Sequence, residues 1–189
     1  MEVILENPIT PAQATDTAEA LAGRYGVYDS ISEYRLFPVL GKTTEEVRRS
    51  IINLWLENGA LPAGADPGER ARQALFVVAN ADGKIVAVST VYVSDLQHTG
   101  MENPPPDKFY CYRMFINRQD RVGHLAKTMV KSAYDYLKDY AAADKPKGIV
   151  AIAQNAKLMR VSLQRAFEGI GWGMTGKDNL GNIIYRRDF

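Results

Sequence analysis

The sequence predicts a single α+β domain built on one mixed, mostly antiparallel sheet with helices on both faces. Three observations support this fold class. First, β-rich and helical hydrophobic patterns alternate along the 189 residues. Second, short turns join the middle β-rich runs, which favours antiparallel neighbours. Third, a long amphipathic helix links two apolar runs, as in a parallel crossover. We therefore expect one domain over residues 1–189.

In the first third of the chain, the sequence pattern predicts, in order, a strand, a helix, an irregular segment, a second helix and a loop. The expected ranges are 2–6, 10–23, 24–42, 43–59 and 61–68. Each helix opens with a capping box, headed by Thr10 or Thr43, and ends near a glycine. The last segment carries two prolines and two glycines, which is typical of a loop.

In the rest of the chain, the sequence pattern predicts three strands, a helix, a strand, a helix and two strands. The expected ranges are 75–80, 85–93, 108–117, 122–137, 149–153, 159–170, 172–175 and 183–187. Asp82-Gly83 between the first two strands is a hairpin signal. A polar loop, 94–107, precedes the third strand and contains three consecutive prolines. The complete predicted order is β-α-α-β-β-β-α-β-α-β-β.

Composition excludes several functional classes. A formal net charge of +1 gives no electrostatic footprint for nucleic acid or a membrane surface. The single cysteine, Cys111, excludes an intrachain disulfide and fits a reducing compartment. No long apolar run and no leader pattern is present, so we expect a cytoplasmic protein. With two histidines and one cysteine we expect no metal site, and neither a P-loop nor a Rossmann motif occurs.

One turn carries most of the chemical information. The predicted strand at 108–117 runs into a short basic turn at 121–126. This turn contains a glycine and opens directly into the long helix. Such a turn places free backbone N–H groups and the positive end of a helix at one point, which suits a phosphate group. The alternative is an ordinary helix start that binds no ligand.

This turn, together with the element order, resembles the GNAT superfamily of N-acetyltransferases, which use acetyl-CoA. The family signature is Arg or Gln, two variable residues, Gly, one variable residue, then Gly or Ala. Arg121 and Ala126 match it, whereas His124 stands where the family has its first glycine. A histidine could crowd the pyrophosphate or, when protonated, donate to it. Gly123 is expected to supply some of the missing backbone freedom.

The resemblance implies a binding site for acetyl-CoA as co-substrate. Backbone N–H groups of the turn would hold the pyrophosphate, Arg121 would add charge, and the strand edge would bind the pantetheine arm and polarise the acetyl carbonyl. The implied residues are Met114, Ile116, Arg121, Val122, Gly123, His124, Leu125, Ala126 and, after the next strand, Asn155.

The later strand–helix unit also resembles the family. Gly171-Trp172 matches the usual Gly-aromatic ending, but Phe167 replaces the tyrosine that often protonates the departing thiolate. By helical phase, Arg160 or Ser162 could face the CoA arm instead.

The acceptor side is expected in the loop before the central strand. Candidate general bases are His98, Glu102, Asp107 and, near the end of the second helix, Glu57, although residues of this kind are more often solvated surface residues. Tyr110 and Tyr112 share one face of the central strand. They contact either the acceptor or side chains of the neighbouring strands in cross-strand packing. The catalytic prediction is His98, Glu102 and Tyr112. Cys111 faces the opposite side, where a buried structural thiol is expected.

Two functions remain open. The first is an N-acetyltransferase in which a primary amine of a small molecule or peptide attacks acetyl-CoA directly in a ternary complex. The second is a catalytically inactive GNAT-fold module for binding or assembly, which His124 and Phe167 favour. Neither function predicts nucleic acid or membrane as a partner, and a homodimer is compatible with both.

Overall fold

The computed structural model describes residues 18–99, 101, 103–140, 145–153 and 161–189. Within these residues, eight strands form one sheet in the order β1-β2-β3-β4-β5-β6-β8-β7. The strands are β1 (Asp29–Ile31), β2 (Tyr34–Pro38), β3 (Ala74–Ala79), β4 (Ile85–Ser94), β5 (Phe109–Ile116), β6 (Gly148–Ala153), β7 (Gly173–Lys177) and β8 (Ile183–Asp188). The helices are α1 (Ala18–Tyr25), α2 (Glu45–Glu57), α3 (Pro67–Arg72), α4 (Leu125–Asp139) and α5 (Val161–Glu168).

The predicted fold class is confirmed. Within the described residues every strand pair is antiparallel except β5 with β6, and the long helix α4 forms the crossover between these two. The predicted hairpin between β3 and β4 is also present. Gly83 adopts a φ of +81° in its turn, a left-handed conformation that glycine takes without steric cost.

The expectation of an irregular segment at 24–42 was wrong, because this segment forms the hairpin of β1 and β2 at the sheet edge. Leu36 and Phe37 are both fully buried although they are neighbours, since helices cover both faces of β2. A strand buried on both faces lacks the alternating pattern that identifies a half-exposed strand. The predicted strand at 2–6 and the first residues of the predicted helix at 10–23 lie outside the described residues.

The segment 61–68 is not a loop throughout, because α3 begins at Pro67. Asp66 caps this helix, and its Oδ1 accepts from the N–H groups of Gly68 at 2.7 Å and Glu69 at 3.0 Å. Asp followed by Pro is a helix-start signal, which the density of prolines and glycines obscured. The cap of α2 is also one residue later than predicted, since Thr44 accepts from the Val47 N–H at 3.3 Å.

Helices cover both faces of the sheet, as predicted. The core on one face contains α4 residues such as Leu125 and Met129, with Phe167 of α5 packed against it. The core on the other face contains Leu21 of α1, Trp55 of α2 and Ala71 of α3. Strand β5 lies centrally between these layers, so its two faces contact different helices. No described helix is both long and apolar enough to cross a membrane.

Candidate functional site

The pairing between β5 and β6 ends half-way along β5. These parallel strands pair only where Tyr110 to Tyr112 lie opposite Ile149 to Ala151. On its other side β5 pairs with β4 along its whole length. From Arg113 to Ile116, the β6-facing edge of β5 has no strand partner among the described residues. Such an edge offers backbone N–H and C=O groups to a ligand.

A cavity of about 650 Å³ opens at this unpaired edge, a volume within the usual range for small-molecule sites. Strands β4 and β5 contribute much of its wall, and the start of α4, strand β6 and the β7–β8 turn contribute more. Its described lining is Trp55, Ala60, Arg70, Val88, Thr90, Tyr92, Thr99, Cys111, Tyr112, Arg113, Met114, Phe115, Ile116, Arg121, Val122, Ala126, Val150, Ile152, Asp178 and Asn179. One space therefore joins the strand edge to the start of α4.

The start of α4 presents backbone donors that no described group accepts. The first helical bond runs from the Thr128 N–H to the His124 carbonyl at 2.8 Å. The N–H groups from Gly123 to Lys127 make no hydrogen bond with any described residue, whereas that of Val122 donates to the Asp120 carbonyl at 2.9 Å. Free donors at the positive end of a 15-residue helix form an anion-binding site.

His124 occupies the N-cap position of α4 in a left-handed conformation, with φ +73° and ψ −17°. Its side chain makes no capping hydrogen bond. The family signature has glycine at this position, and this backbone geometry costs an L-residue about 1–2 kcal/mol. Gly123 does not have a positive φ, so the expectation that Gly123 supplies the missing freedom was wrong. His124 itself is the residue with the left-handed backbone conformation.

Arg121 connects this turn to the end of β5. Its Nε donates to the carbonyl oxygen of Ile116 at 3.1 Å, and the residue is otherwise exposed. Neighbouring Asp120 is held in the same turn, because its carboxylate accepts from Asn117 Nδ2 at 2.8 Å and from the Tyr34 hydroxyl at 3.3 Å. The strand end, the turn and the helix start are thus bonded to one another.

Several predicted site residues are not characterised by the structure. Glu102, Asn155 and Arg160 lie outside the described residues, and of His98 and Ser162 only the backbone is described. Their roles stay predictions. The other two candidate bases lie away from the cavity lining. Asp107 pairs with Lys147 at 3.0 Å, and Glu57 is exposed at the end of α2.

Tyr110 and Tyr112 are each 4% exposed and belong to the core under α4, as cross-strand packing predicts. Tyr112 also lines the cavity. Both hydroxyls are buried without a described hydrogen-bond partner. Burial raises the pKa of both phenols above its ordinary value, so each stays protonated at neutral pH.

Phe167, which takes the place of the expected tyrosine, packs in the core and is absent from the described cavity lining. Its ring stacks on Tyr185, with centroids 4.4 Å apart, and meets Trp172 edge-on at 6.0 Å. These contacts place the ring in an aromatic cluster with Trp172 and Tyr185.

Asp178 is the one carboxylate in the described cavity lining, and it is fully engaged in the β7–β8 turn. Its Oδ1 accepts from the N–H groups of Leu180 at 2.9 Å and Asn182 at 2.8 Å, and its Oδ2 accepts from Asn182 Nδ2 at 2.9 Å. Burial raises the pKa of Asp178, but these hydrogen bonds outweigh it, and the net shift is downward. A carboxylate stabilised in this way is a poor proton acceptor.

Cys111 faces away from the two tyrosines, as strand alternation predicts, and lines the cavity as a buried free thiol. Burial raises its pKa to about 11, although a hydrogen bond with Tyr92 opposes the shift. The thiolate is the reactive form, so a thiol with this pKa is a weak nucleophile at neutral pH.

Sequence reasoning missed Arg70, Tyr92 and Arg113, which line the cavity on the Cys111 face. Arg113 carried a signal, because it is a charged residue within the otherwise apolar and aromatic run of β5. Arg70 lies on α3, a helix that the sequence did not predict, and carried none.

Comparisons with known proteins find structural similarity alone. No family model and no curated protein matches this sequence. Among solved structures, a ribosomal-protein-S5-alanine acetyltransferase from Vibrio fischeri matches with a TM-score of 0.57 and 12% identity, over 85% of this chain and 95% of that chain. A GNAT-family acetyltransferase from Listeria monocytogenes matches with a TM-score of 0.52 and 15% identity, over 85% and 100% respectively.

The fold is GNAT-like. A further match is Arabidopsis thaliana Naa50 in complex with the bisubstrate analogue CoA-Ac-MVNAL, with a TM-score of 0.53 and 8% identity, over 84% of this chain and 100% of that chain. The resemblance to the GNAT superfamily that the sequence predicted is thus confirmed at the level of fold. In this element order the turn at 121–126 lies between β5 and the first turn of α4, as the sequence predicts.

Proposed function

We propose that this chain binds acetyl-CoA and transfers its acetyl group to a primary amine by direct attack in a ternary complex. One observation carries the proposal: the free N–H groups at the start of α4 and the unpaired edge of β5 meet in a single cavity. The GNAT-like fold supports it, because related folds are solved with CoA-containing ligands, including Naa50 and a NatC complex bound to Gag peptide and CoA.

The residues present fit the phosphates of CoA. Gly123, His124, Leu125 and Ala126 offer uncommitted N–H donors, and Val122, whose N–H is already used, contributes to the wall. Because Arg121 uses its Nε on the β5 carbonyl, its terminal nitrogens remain for a phosphate oxygen. The His124 backbone already has the left-handed geometry that glycine adopts in the family, so no rearrangement of the turn is required.

Acetyl-CoA supplies an activated acyl thioester. Within this cavity the free edge of β5 between Met114 and Ile116 is the source of an N–H that polarises the acetyl carbonyl and stabilises charge on its oxygen. A fixed backbone donor in a partly enclosed site also orients the acyl group for attack, which contributes a large part of the rate in such reactions.

The acid–base groups favour direct attack over an acyl-cysteine route. Cys111, with a pKa of about 11, holds almost no thiolate at neutral pH. Tyr112 stays protonated and can donate a hydrogen bond but cannot serve as a base. Asp178 is committed to its turn. We therefore keep His98 and Glu102 as the proposed proton acceptors for the attacking ammonium.

The second candidate is a GNAT-fold module that binds acetyl-CoA or a partner without catalysis. One observation favours it, namely that no uncommitted carboxylate or histidine occurs in the described part of the cavity lining. Phe167 supplies no proton for the departing thiolate, and its ring packs in the core outside the described cavity lining.

A thiol-release assay separates the two candidates. The protein is incubated with acetyl-CoA and a panel of amino acids, peptides and simple amines, and free CoA thiol is followed over time. The proposal predicts amine-dependent release that is reduced in Arg121→Ala and retained in Arg118→Ala, whose exposed side chain lies on the neighbouring turn. Acetyl-CoA binding without release for any amine would support the module, and absence of both would contradict the proposal.

A further inference from the structure

Two arginines from different elements line the same part of the site. Arg113 projects from β5, and its guanidinium lies over the Tyr92 ring, 4.5 Å from the centroid, while Nη2 donates to the Tyr92 hydroxyl at 3.0 Å. Arg70 comes from α3, with its guanidinium 5.8 Å from the Trp55 ring. Both arginines line the 650 Å³ cavity and an adjoining cavity of about 500 Å³. Aromatic rings therefore hold both cations at the junction of the two spaces.

Neither arginine has an acidic partner in the described part of the chain. The carboxylates nearest in the two linings are committed or exposed. Asp66 caps α3, Asp178 is bonded within its turn, and Glu69 is exposed to solvent. The cavities thus hold positive charge that no described protein group neutralises.

The two positive charges oppose each other, with Arg70 partly buried and Arg113 exposed to solvent. Burial lowers the pKa of Arg70, and the positive charge of Arg113 lowers it further. Two guanidinium groups that face a shared space repel each other, and an anion between them relieves the repulsion. Guanidinium groups also bind carboxylate and phosphate oxygens in paired hydrogen bonds that an ammonium cannot match.

We propose that Arg70 and Arg113 bind an anionic group, a carboxylate or a phosphate, carried by the acetyl acceptor on the same molecule as its amine. The inference rests on the proposed acetyl transfer. Arg121 lies at the start of α4 and serves the CoA phosphates, whereas Arg70 and Arg113 lie on the α2–α3 side of the sheet with Cys111 and Tyr92. The adjoining cavity extends beyond the two arginines and accommodates the remainder of the acceptor.

Matched acceptors test the proposal. β-Alanine is compared with β-alaninamide, and O-phosphoethanolamine with ethanolamine, so that each pair differs in its anionic group. We expect kcat/KM to be at least tenfold higher for the anionic member of one pair, and the preferred pair identifies carboxylate or phosphate. Arg113→Gln and Arg70→Gln should raise the acceptor KM at least tenfold and leave the KM for acetyl-CoA unchanged. Arg72→Gln, an exposed change on the same helix, is the control.

A binding measurement separates this inference from the proposed function. Calorimetry with N-acetyl-β-alanine and with O-phosphoethanolamine, in the absence of acetyl-CoA, should show binding to the wild type that Arg113→Gln abolishes. If acetyl-CoA neither binds nor reacts, the proposed function fails. The calorimetric measurement, which needs no acetyl-CoA, then tests the anion site by itself. Equal kcat/KM values for the anionic and neutral members of both pairs, together with no calorimetric binding of either anionic compound, would overturn the inference. So would a loss of acetyl-CoA affinity in the Arg70 and Arg113 variants, which would assign these arginines to the CoA phosphates.

Discussion

The Nε of Arg121 donates to the backbone carbonyl of Ile116 at 3.1 Å, and this bond joins the turn at 121–126 to the last residue of β5. The guanidinium is thereby oriented before any ligand arrives. A side chain fixed in this way loses less conformational entropy when it binds an anion than a mobile one does.

Arg121→Ala should weaken acetyl-CoA binding by about tenfold or more, because charge-assisted hydrogen bonds contribute about 1.5–3 kcal/mol. Isothermal titration calorimetry at low salt measures the change. Arg118→Ala removes an exposed arginine from the preceding turn and should leave the affinity unchanged. Equal losses in the two variants would show that bulk positive charge, and not the position of Arg121, attracts the ligand.

His124→Gly should stabilise the protein by about 1 kcal/mol, since it removes about 1–2 kcal/mol of left-handed strain and adds part of that back as chain entropy in the unfolded state. His124→Ala keeps the strain and should not stabilise. Urea unfolding compares the two variants. If alanine stabilises as much as glycine does, the ring rather than the backbone of His124 is the source of the strain.

The same two variants separate the two predicted effects of the histidine ring on the ligand. Tighter acetyl-CoA binding in both variants would mean that the ring crowds the pyrophosphate. Weaker binding in both would mean that the ring donates to it. Because the His124 side chain is exposed and makes no capping bond, neither effect requires the fold to change.

Cys111→Ala should retain acetyl transfer within about threefold, because a thiol of pKa about 11 is not the nucleophile. Alkylation of the folded wild type by iodoacetamide should be slow at pH 7 and accelerate as the pH approaches 11, where the thiolate forms. Mass spectrometry follows both reactions. Direct attack would be contradicted if acetyl-CoA acetylated Cys111 and the acetyl group then left when amine was added. That result would show a two-step route through an acyl-cysteine.

Asp178→Ala should destabilise the β7–β8 turn by about 1–3 kcal/mol, because a charged acceptor of three hydrogen bonds is lost. The native pKa of this carboxyl is lowered, so its contribution is present above its unfolded-state pKa and disappears as the pH falls through the native value. Thermal unfolding between pH 7 and pH 3 should therefore show the variant and the wild type converging in acid. Asp82→Ala, in an exposed turn where the side chain accepts no described hydrogen bond, is the control and should show a small change.

The sequence predicted those elements whose local pattern reflects their environment. Strands β3 to β5 are runs of β-forming residues bounded by turn residues, and helix α4 has a clear helical periodicity. The strand–turn–helix unit at 121–126 follows from local chain chemistry. The hairpin of β1 and β2 was missed because its strands have only three and five residues, and because Leu36 and Phe37 are buried on opposite faces of β2. The arginine pair was missed for a different reason. Arg70 and Arg113 meet only through the packing of α3 against the sheet, and such tertiary juxtaposition leaves no local pattern.

The central claim is that the start of α4 holds the phosphates of acetyl-CoA, and a melting-temperature comparison tests it most directly. Acetyl-CoA at 100 times its dissociation constant stabilises the folded state by about 2.7 kcal/mol, which raises the Tm of a chain of this size by about 5–10 °C. S-Acetylpantetheine, which lacks the phosphates, should give a much smaller Tm shift at equal concentration. Arg121→Ala should reduce the Tm shift with acetyl-CoA but not the shift with S-acetylpantetheine. An unchanged Tm at millimolar acetyl-CoA, or equal shifts with both compounds, would contradict the account.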